Sequence, residues 1–331
     1  MHTTSNFERM DGRASSTPAS HAPGRDPAGR TGSASEALVA ASHVPLLVHV
    51  AAAESTNELA RDLHRDARID TPHQTLVVAD HQTAGRGRLG RHWESPAGRS
   101  LTASVLLRVP ATPGLRSALP WFALAAALAA RDAVARRLTP LGRAVGVKWP
   151  NDVVVDGTRK VAGLLAELLE PTGTDLWMVI GLGVNVAMTS AERPTPVATS
   201  LSLEGDEDAG NDPARVVDSL LCDWVDALAV RAEALVDHDG DAVAAGVHAE
   251  ISESCVTVGR QVSVRRPDDA GRSTPRSAGV GRATPGSPPT SPSLLTGTAT
   301  AIGPDGALLV RPPGGATVAV TTGDVEMVAP T

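Results

Sequence analysis

Tyrosine is absent from the 331-residue chain, phenylalanine occurs twice and tryptophan five times. With aromatics at 2%, core volume must come from Ala, Val and Leu. Cysteine is as scarce: Cys222 and Cys255 stand far apart, and no C-x-x-C pair exists. That excludes a disulfide framework and a zinc knuckle, and leaves two small buried or half-buried thiols. No apolar run approaches the roughly 20 residues of a membrane span, and the first residues lack a signal peptide's apolar stretch. The expected compartment is the cytoplasm. Positive charge is also short. Thirty Lys and Arg against 37 Asp and Glu leave a net charge of -7, which excludes a protein that coats nucleic acid through a net basic surface. A local basic patch stays open.

What is present is ordinary globular material, 42% hydrophobic, enough for one large domain or two. Residues 1–42 are rich in Ser, Thr, Ala, Gly, Pro and Arg without apolar periodicity, and read as a disordered tail. A second low-complexity stretch at about 266–293 reads as an insert with almost nothing to bury. Residues 43–254 form the main region. Strands are expected at 46–50, 75–79, 101–109, 153–155, 161–169 and 177–186, and helices after Ser55, over 115–138, 213–236 and roughly 241–252. Asp156-Gly157 marks a two-residue hairpin. From Cys255 to 331 the pattern changes to short strands at 256–264, 296–302, 307–310 and 317–321, predicting a small β-barrel-like domain.

Four constellations stand out. Gly85-Arg86-Gly87-Arg88-Leu89-Gly90 spells G-x-G-x-x-G, but a strand follows and no helix opens, so the dinucleotide fingerprint fails. The kinase glycine loop fails too, for want of a catalytic loop downstream. Arg86, Arg88 and Arg91 among flexible glycines suit phosphate oxygens; a solvated basic loop is the bland alternative. Lys148-Trp149-Pro150-Asn151-Asp152 leads to Arg159-Lys160-Val161-Ala162-Gly163, where Lys160 either snorkels outward or points into a site. Gly181-Leu182-Gly183-Val184-Asn185 marks a close approach by a ligand or by another backbone. Ser55-Thr56-Asn57-Glu58 fits a capping box, leaving Thr56 and Asn57 for a polar ligand.

Together these segments resemble the biotin–protein ligase family. The matching blocks are Glu54-Ser55-Thr56-Asn57, Gln82 through Arg91, Trp93 with Ser95-Pro96 and Gly98, Lys148 through Asp152, Arg159 through Gly163, and Ile180 through Asn185. The resemblance implies an α+β fold: a mixed-sheet, class II synthetase-like catalytic domain with flanking helices, plus an SH3-like C-terminal barrel. It implies formation of biotinyl-5′-AMP from biotin and ATP, with Mg2+, and transfer of biotin to a lysine of a biotin carboxyl carrier domain. The carriers would belong to acyl-CoA carboxylases or pyruvate carboxylase.

Carried over by motif, the biotin contacts are Ser55, Thr56, Asn57, Gln82, Gly85, Arg86, Gly87, Arg88, Lys160, Gly163, Gly181 and Gly183. The ATP and adenylate contacts are Arg86, Arg88, Arg91, Trp93, Lys148, Asn151, Lys160 and Asn185. Lys160 and Arg88 are the catalytic candidates, with Asp152 orienting or deprotonating the acceptor lysine; no metal ligands are singled out. Some relatives carry an N-terminal DNA-binding domain and repress transcription. Residues 1–42 lack its helical periodicity, so no specific DNA binding is expected. A lipoate–protein ligase or octanoyltransferase is the nearest alternative, and a plain nucleotide-binding structural protein the blandest.

Overall fold

The computed structural model describes residues 38–66, 69, 71–93, 95–170, 174–265 and 294–328. The expected insert at 266–293 and most of the expected tail lie outside them. The composition-based limit of that tail, residue 42, falls inside ordered structure. Val39–Ser42 form a 3-10 turn with Ala40 fully buried, held because Asp218 accepts the Val39 and Ala40 N–H groups at 3.0 and 3.1 Å.

Seven strands form the larger sheet: β1 (Leu46–Val50), β2 (Thr75–Ala79), β3 (Ser100–Pro110), β4 (Val145–Lys148), β5 (Asp152–Val155), β6 (Arg159–Leu168) and β7 (Asp175–Asn185), in the order β1-β2-β3-β7-β6-β5-β4. Only β1 and β2 run parallel; every other pairing is antiparallel. Asp156 and Gly157 both take positive φ, 47° and 79°, which is the requirement of the expected tight hairpin between β5 and β6.

The helices are α1 (Thr56–Arg65), α2 (Pro113–Ser117), α3 (Leu119–Leu138), α4 (Glu207–Asn211), α5 (Pro213–Asp237) and α6 (Val247–Ser254). The helix expected over 115–138, with Pro120 near its start or at a kink, is divided at Ala118, because Pro120 supplies no N–H and begins a new first turn. Ala-rich α3 buries Trp121, Phe122, Leu124 and Leu128 against α5 and the sheet. α1 covers the opposite sheet face, packing Ala60, Leu59 and Leu63 with Val77, Leu106, Val179 and Trp177. Because side chains alternate along a strand, Ser104 shares that face with Leu106, and Gly181 and Gly183 share it with Val179.

Five short strands, β8 (Gln261–Arg265), β9 (Leu294–Ile302), β10 (Leu308–Arg311), β11 (Val318–Val320) and β12 (Asp324–Met327), make a second, antiparallel sheet in the order β11-β10-β9-β8-β12. β4 and β12 had no counterpart in the sequence reading. Residues 256–260, expected as strand, instead form turns that tie the C-terminal sheet to β4, with Val256 N–H donating to Val147 O at 2.9 Å. Trp121 and Trp149 indoles donate to Pro304 and Gly306 carbonyls at 2.9 and 3.0 Å. One hydrophobic cluster runs through α3, the large sheet and Val262, Ile302 and Val310.

Candidate active site

The segment before α1 and the segment after β2 run side by side: Ala53 N–H donates to His81 O, and Thr83 and Ala84 N–H donate to Ala53 and Glu54 O. This brings Gln82 to the N-terminus of α1, where the first N–H groups lack helical partners. Gln82 Oε1 accepts Thr56 N–H at 2.8 Å. The expected capping box is therefore not formed. Ser55 makes no side-chain cap bond, and Glu58 pairs instead with Arg86. A residue 27 positions downstream of Ser55 does the capping, which no local motif reveals.

Freed of that duty, Ser55 lines the cleft although buried. Thr56 and Asn57 are the tied ones. Ser104 Oγ lies 2.7 Å from Thr56 Oγ1 and 2.6 Å from Asn57 Oδ1, while Asn57 Nδ2 donates to Glu167 Oε2 at 2.8 Å and to Leu165 O at 3.2 Å. A Cβ on Gly181 would stand 2.4 Å from Asn57 Oδ1, so the glycine is what lets this helix start sit on β7.

The arginine loop closes as a small hairpin. Arg86 and His92 bridge, Trp93 N–H donates to Gly85 O at 2.9 Å, and Gly87 N–H donates to Arg91 O at 2.7 Å. Its tip is a single 3-10 turn, Arg88–Gly90, with Leu89 and Gly90 at φ 56° and 73°. No helix opens, as the sequence required. Each arginine has a partner: Arg86 has Glu58, Arg91 has Asp324 from β12, and Arg88 donates to Asn151 Oδ1 at 3.1 Å and Thr322 Oγ1 at 3.4 Å. Burial lowers the Arg88 pKa, against the pull of Asp152 and Asp324, and Arg91 adds to the lowering; a guanidinium nevertheless keeps its charge at neutral pH.

Lys160 points into the cleft, resolving the choice left by its position. Its N–H donates to Val197 O at 2.7 Å and its carbonyl accepts from Thr199 N–H at 2.9 Å, so its backbone is clamped. Its Nζ lies 2.7 Å from Asp152 Oδ1 and 5.6 Å from the Trp93 ring centroid, within cation–π range. The Trp93 indole N–H is buried with no hydrogen-bond partner among the described residues.

The cleft they enclose is open to solvent. All the sequence-derived candidates line it except two. Gly85 is buried at the base of the hairpin, where a Cβ would come 2.4 Å from Trp93 O. Asn185 is buried at the end of β7, its amide donating to Thr199 O at 2.8 Å, so it pins the chain rather than facing the cleft. The sequence reading missed Gly323, Asp324 and Val325 of the C-terminal sheet, which close one wall. It also missed Ser104 and Glu167 behind Thr56 and Asn57. Neither Ser104 nor Asp324 had a distinctive signal: Ser104 is one of three hydroxyl residues in its strand, with Ser100 and Thr102, and Asp324 stands in a short strand of the other sheet. Among the described residues no three His, Cys, Asp or Glu side chains gather as a metal site.

The cleft thus combines two kinds of lining: the hydroxyl and amide groups of Ser55, Thr56, Asn57 and Gln82, and the cations Arg86, Arg88, Arg91, Lys148 and Lys160. Such a site suits a ligand with a neutral hydrogen-bonding head and an acid that gains negative charge on reaction.

Residues 50–185 match the model of the biotin/lipoate A/B protein ligase family. The biotin–[acetyl-CoA-carboxylase] ligase of Mycobacterium tuberculosis is 43% identical over 126 residues, 38% of this chain and 44% of that protein. The corresponding Paracoccus denitrificans ligase is 37% identical over 146 residues, 44% of this chain and 58% of that protein. The chain therefore spans about half the length of the curated relatives it matches. Biotin protein ligase from Aquifex aeolicus, solved with biotin and ATP, superposes with a TM-score of 0.58 over 86% of this chain and 100% of that one, at 22% identity; this is a likeness of fold.

Proposed function

We propose that the chain, whose residues 50–185 match the model of the biotin/lipoate A/B protein ligase family, is a biotin–protein ligase that adenylates biotin and transfers it to a carrier lysine. The observation that supports this most is that one cleft is lined both by Ser55, Thr56 and Gln82 and by Lys160 with the arginine hairpin. In the first step a carboxylate oxygen of biotin attacks the α-phosphorus of ATP, and pyrophosphate leaves. Negative charge builds on the phosphoryl oxygens, where Lys160 and Arg88 are the fixed cations. In the second step the carrier lysine's amine attacks the acyl carbon, AMP leaves, and the amine's proton must go to a base. Asp152, 2.7 Å from Lys160, is assigned to orient or deprotonate that amine. The adenylate hydrolyses if wet, so a hairpin of glycines and arginines that closes over it protects it.

Magnesium is proposed only as the counter-ion that ATP phosphates bring. The described residues offer no carboxylate cluster for a resident ion, and no step here runs through one. We further propose the catalytic domain as class II synthetase-like, spanning 43–254. Residues from 255 onward would be an SH3-like barrel, supported by five short antiparallel strands whose last returns beside the first. The partners would be the carrier domains of acyl-CoA carboxylases or pyruvate carboxylase, in the cytoplasm. No helix among the described residues is long and apolar enough to cross a membrane.

The test is incubation of the purified chain with ATP, a carrier domain and either biotin, lipoate or octanoate, measuring pyrophosphate release and the mass of the carrier lysine. Biotin-dependent release with a biotinyl mass shift is expected, reduced about 100-fold or more in Lys160→Ala, the scale for losing a charge-stabilising donor. Turnover with lipoate or octanoate alone overturns the assignment.

A further inference from the structure

A second cavity lies behind the cleft, and neither step above uses it. Gly181 of β7 faces α1, so by alternation Ile180, and Ala166 opposite it on β6, face the other side of the sheet, toward α3. There Pro120, Ala123 and Leu124 of α3 line a cavity with Ile180, Ala166 and Trp149, and Gly306 and Thr321 reach it from the C-terminal part of the chain. Pro120 and Thr321 are exposed, so the cavity meets solvent. Its wall is held in place. Trp149 N–H donates to Thr257 Oγ1 and its indole to Gly306 O, each at 3.0 Å, so the ring is not free to turn and fill the space.

The lining is apolar apart from Arg88, Asn151 and Thr321, and Asn151 is already spent. Its Nδ2 donates to Leu164 O at 2.7 Å, and its Oδ1 accepts from Arg88 at 3.1 Å. Arg88 is not. Arg86 and Arg91 are paired with Glu58 and Asp324, whereas Arg88 bonds no carboxylate among the described residues. Its other bond, to Thr322 Oγ1 at 3.4 Å, is long. A half-buried guanidinium with donors to spare, beside an apolar chamber, offers a fork that matches a carboxylate.

We infer that this cavity binds an aliphatic monocarboxylic acid, its chain among Leu124, Ala166 and Ile180 and its carboxylate on Arg88. Arg88 also lines the cleft, so a guanidinium engaged by that carboxylate is withdrawn from the phosphate of ATP. The occupant is therefore an inhibitor that competes with ATP and leaves biotin binding alone. The site is read from the cavity itself; only this effect on turnover rests on the biotin reading.

The experiment titrates the full chain with octanoate, without biotin or ATP, and follows tryptophan emission, since Trp149 lines the cavity. A saturable change is expected. Hexanoate should bind about tenfold more weakly, because each buried methylene is worth roughly fourfold in affinity. Octan-1-ol, which has the chain but no charge for Arg88, should also bind at least tenfold more weakly than octanoate. Ala123→Leu and Ala166→Leu put a larger side chain into the cavity from two different elements, with a melting curve for each to show that it folds. Each should weaken octanoate at least tenfold while leaving biotin- and ATP-dependent pyrophosphate release within twofold of wild type. In wild type, octanoate should raise the ATP KM and not the biotin KM, and both variants should resist it. Octanoate binding that survives in both variants places the acid in the cleft and overturns the inference, as does octanol binding as tightly as octanoate or inhibition competitive with biotin alone. Octanoate binding of the expected kind in a protein that does not turn over biotin overturns the proposed function and leaves the site standing.

Discussion

At the scale of single residues, the cleft is shaped as much by missing side chains as by present ones. Gly163 and Gly183 both face Trp93, but not equally. A Cβ at Gly183 would lie 2.3 Å from Trp93 Cε2 and 2.6 Å from Cζ2 and Nε1, inside a rigid ring. At Gly163 the nearest atoms are Lys160 Nζ at 3.0 Å and Trp93 Cζ3 at 3.3 Å, and the end of a lysine chain can move a few tenths of an ångström. Gly183→Ala should therefore displace the indole, at the cost of about 1–3 kcal/mol typical of overpacking. Gly163→Ala should leave the indole in place. The measurement is tryptophan emission together with kcat/KM for biotin: a shifted spectrum with a fall of about 100-fold at position 183, and an unshifted spectrum with a change of less than about tenfold at 163. In the sequence, Gly183 was visible as half of the Gly181 and Gly183 pair within a strand, and Gly163 as the end of the block from Arg159. Their partner was not, because Trp93 reaches them only through the fold.

Among the elements, the arginine hairpin is the one whose behaviour can be changed without touching chemistry. It is fastened by Glu58 from α1 and by Asp324 from β12, the latter at an arginine that is 64% exposed. A pair so exposed contributes at most about 1 kcal/mol, which corresponds to roughly a fivefold change in the open population of a local segment. Asp324→Ala should thus leave the melting temperature nearly unchanged while speeding tryptic cleavage after Arg88 or Arg91 by up to about fivefold. Biotin with ATP should restore protection, since the ligand's phosphate supplies the anion that was removed. Cleavage at the wild-type rate would show that Asp324 does not fasten the hairpin. Elements with a strong local period, β1, β2, α5 and the Asp156-Gly157 hairpin, were legible in the sequence because their own residues determine them. β4 and β12 were not. Each has four residues and owes its pairing to β5 or β8 rather than to its own pattern. The same reason hid Asp324, whose place on the cleft is a property of strand order. The capping box failed likewise, when Gln82 supplied from another segment what Ser55 was expected to supply locally.

For the molecule as a whole, the position of Lys160 depends on a buried carboxylate one step away. Glu204, 4% exposed, takes both nitrogens of a fork from Arg159, at 2.7 and 2.8 Å, and the Thr199 hydroxyl at 2.7 Å. Arg143 stands at 3.4 Å, and Asp156 shares Arg159 from the hairpin side at 2.6 Å. Burial alone would raise the Glu204 pKa, but the Arg159 and Thr199 hydrogen bonds and the charge of Arg143 outweigh it, and the net shift is downward from 4.5. Asp156 is lowered as well, first by its bond from Arg159. A carboxylate depressed in the folded state contributes its stabilisation fully above its unfolded pKa, and loses it as pH falls through the folded one. Stability should accordingly be flat from pH 7 to about 5 and decline below about 4.5. Glu204→Gln should lose about 1.5–3 kcal/mol at pH 7, the scale of hydrogen bonds to a charged group. It should lose progressively less relative to wild type as the pH approaches 3, because the wild-type carboxyl is then neutral too. Denaturant titrations of both proteins at pH 7, 5, 4 and 3 test this, and parallel curves at all four values would refute it. Activity should fail earlier on the same acid limb than the fold does. Thr199, which bonds Glu204, also donates its N–H to the Lys160 carbonyl, so loosening that corner displaces the cleft lysine before it unfolds the sheet.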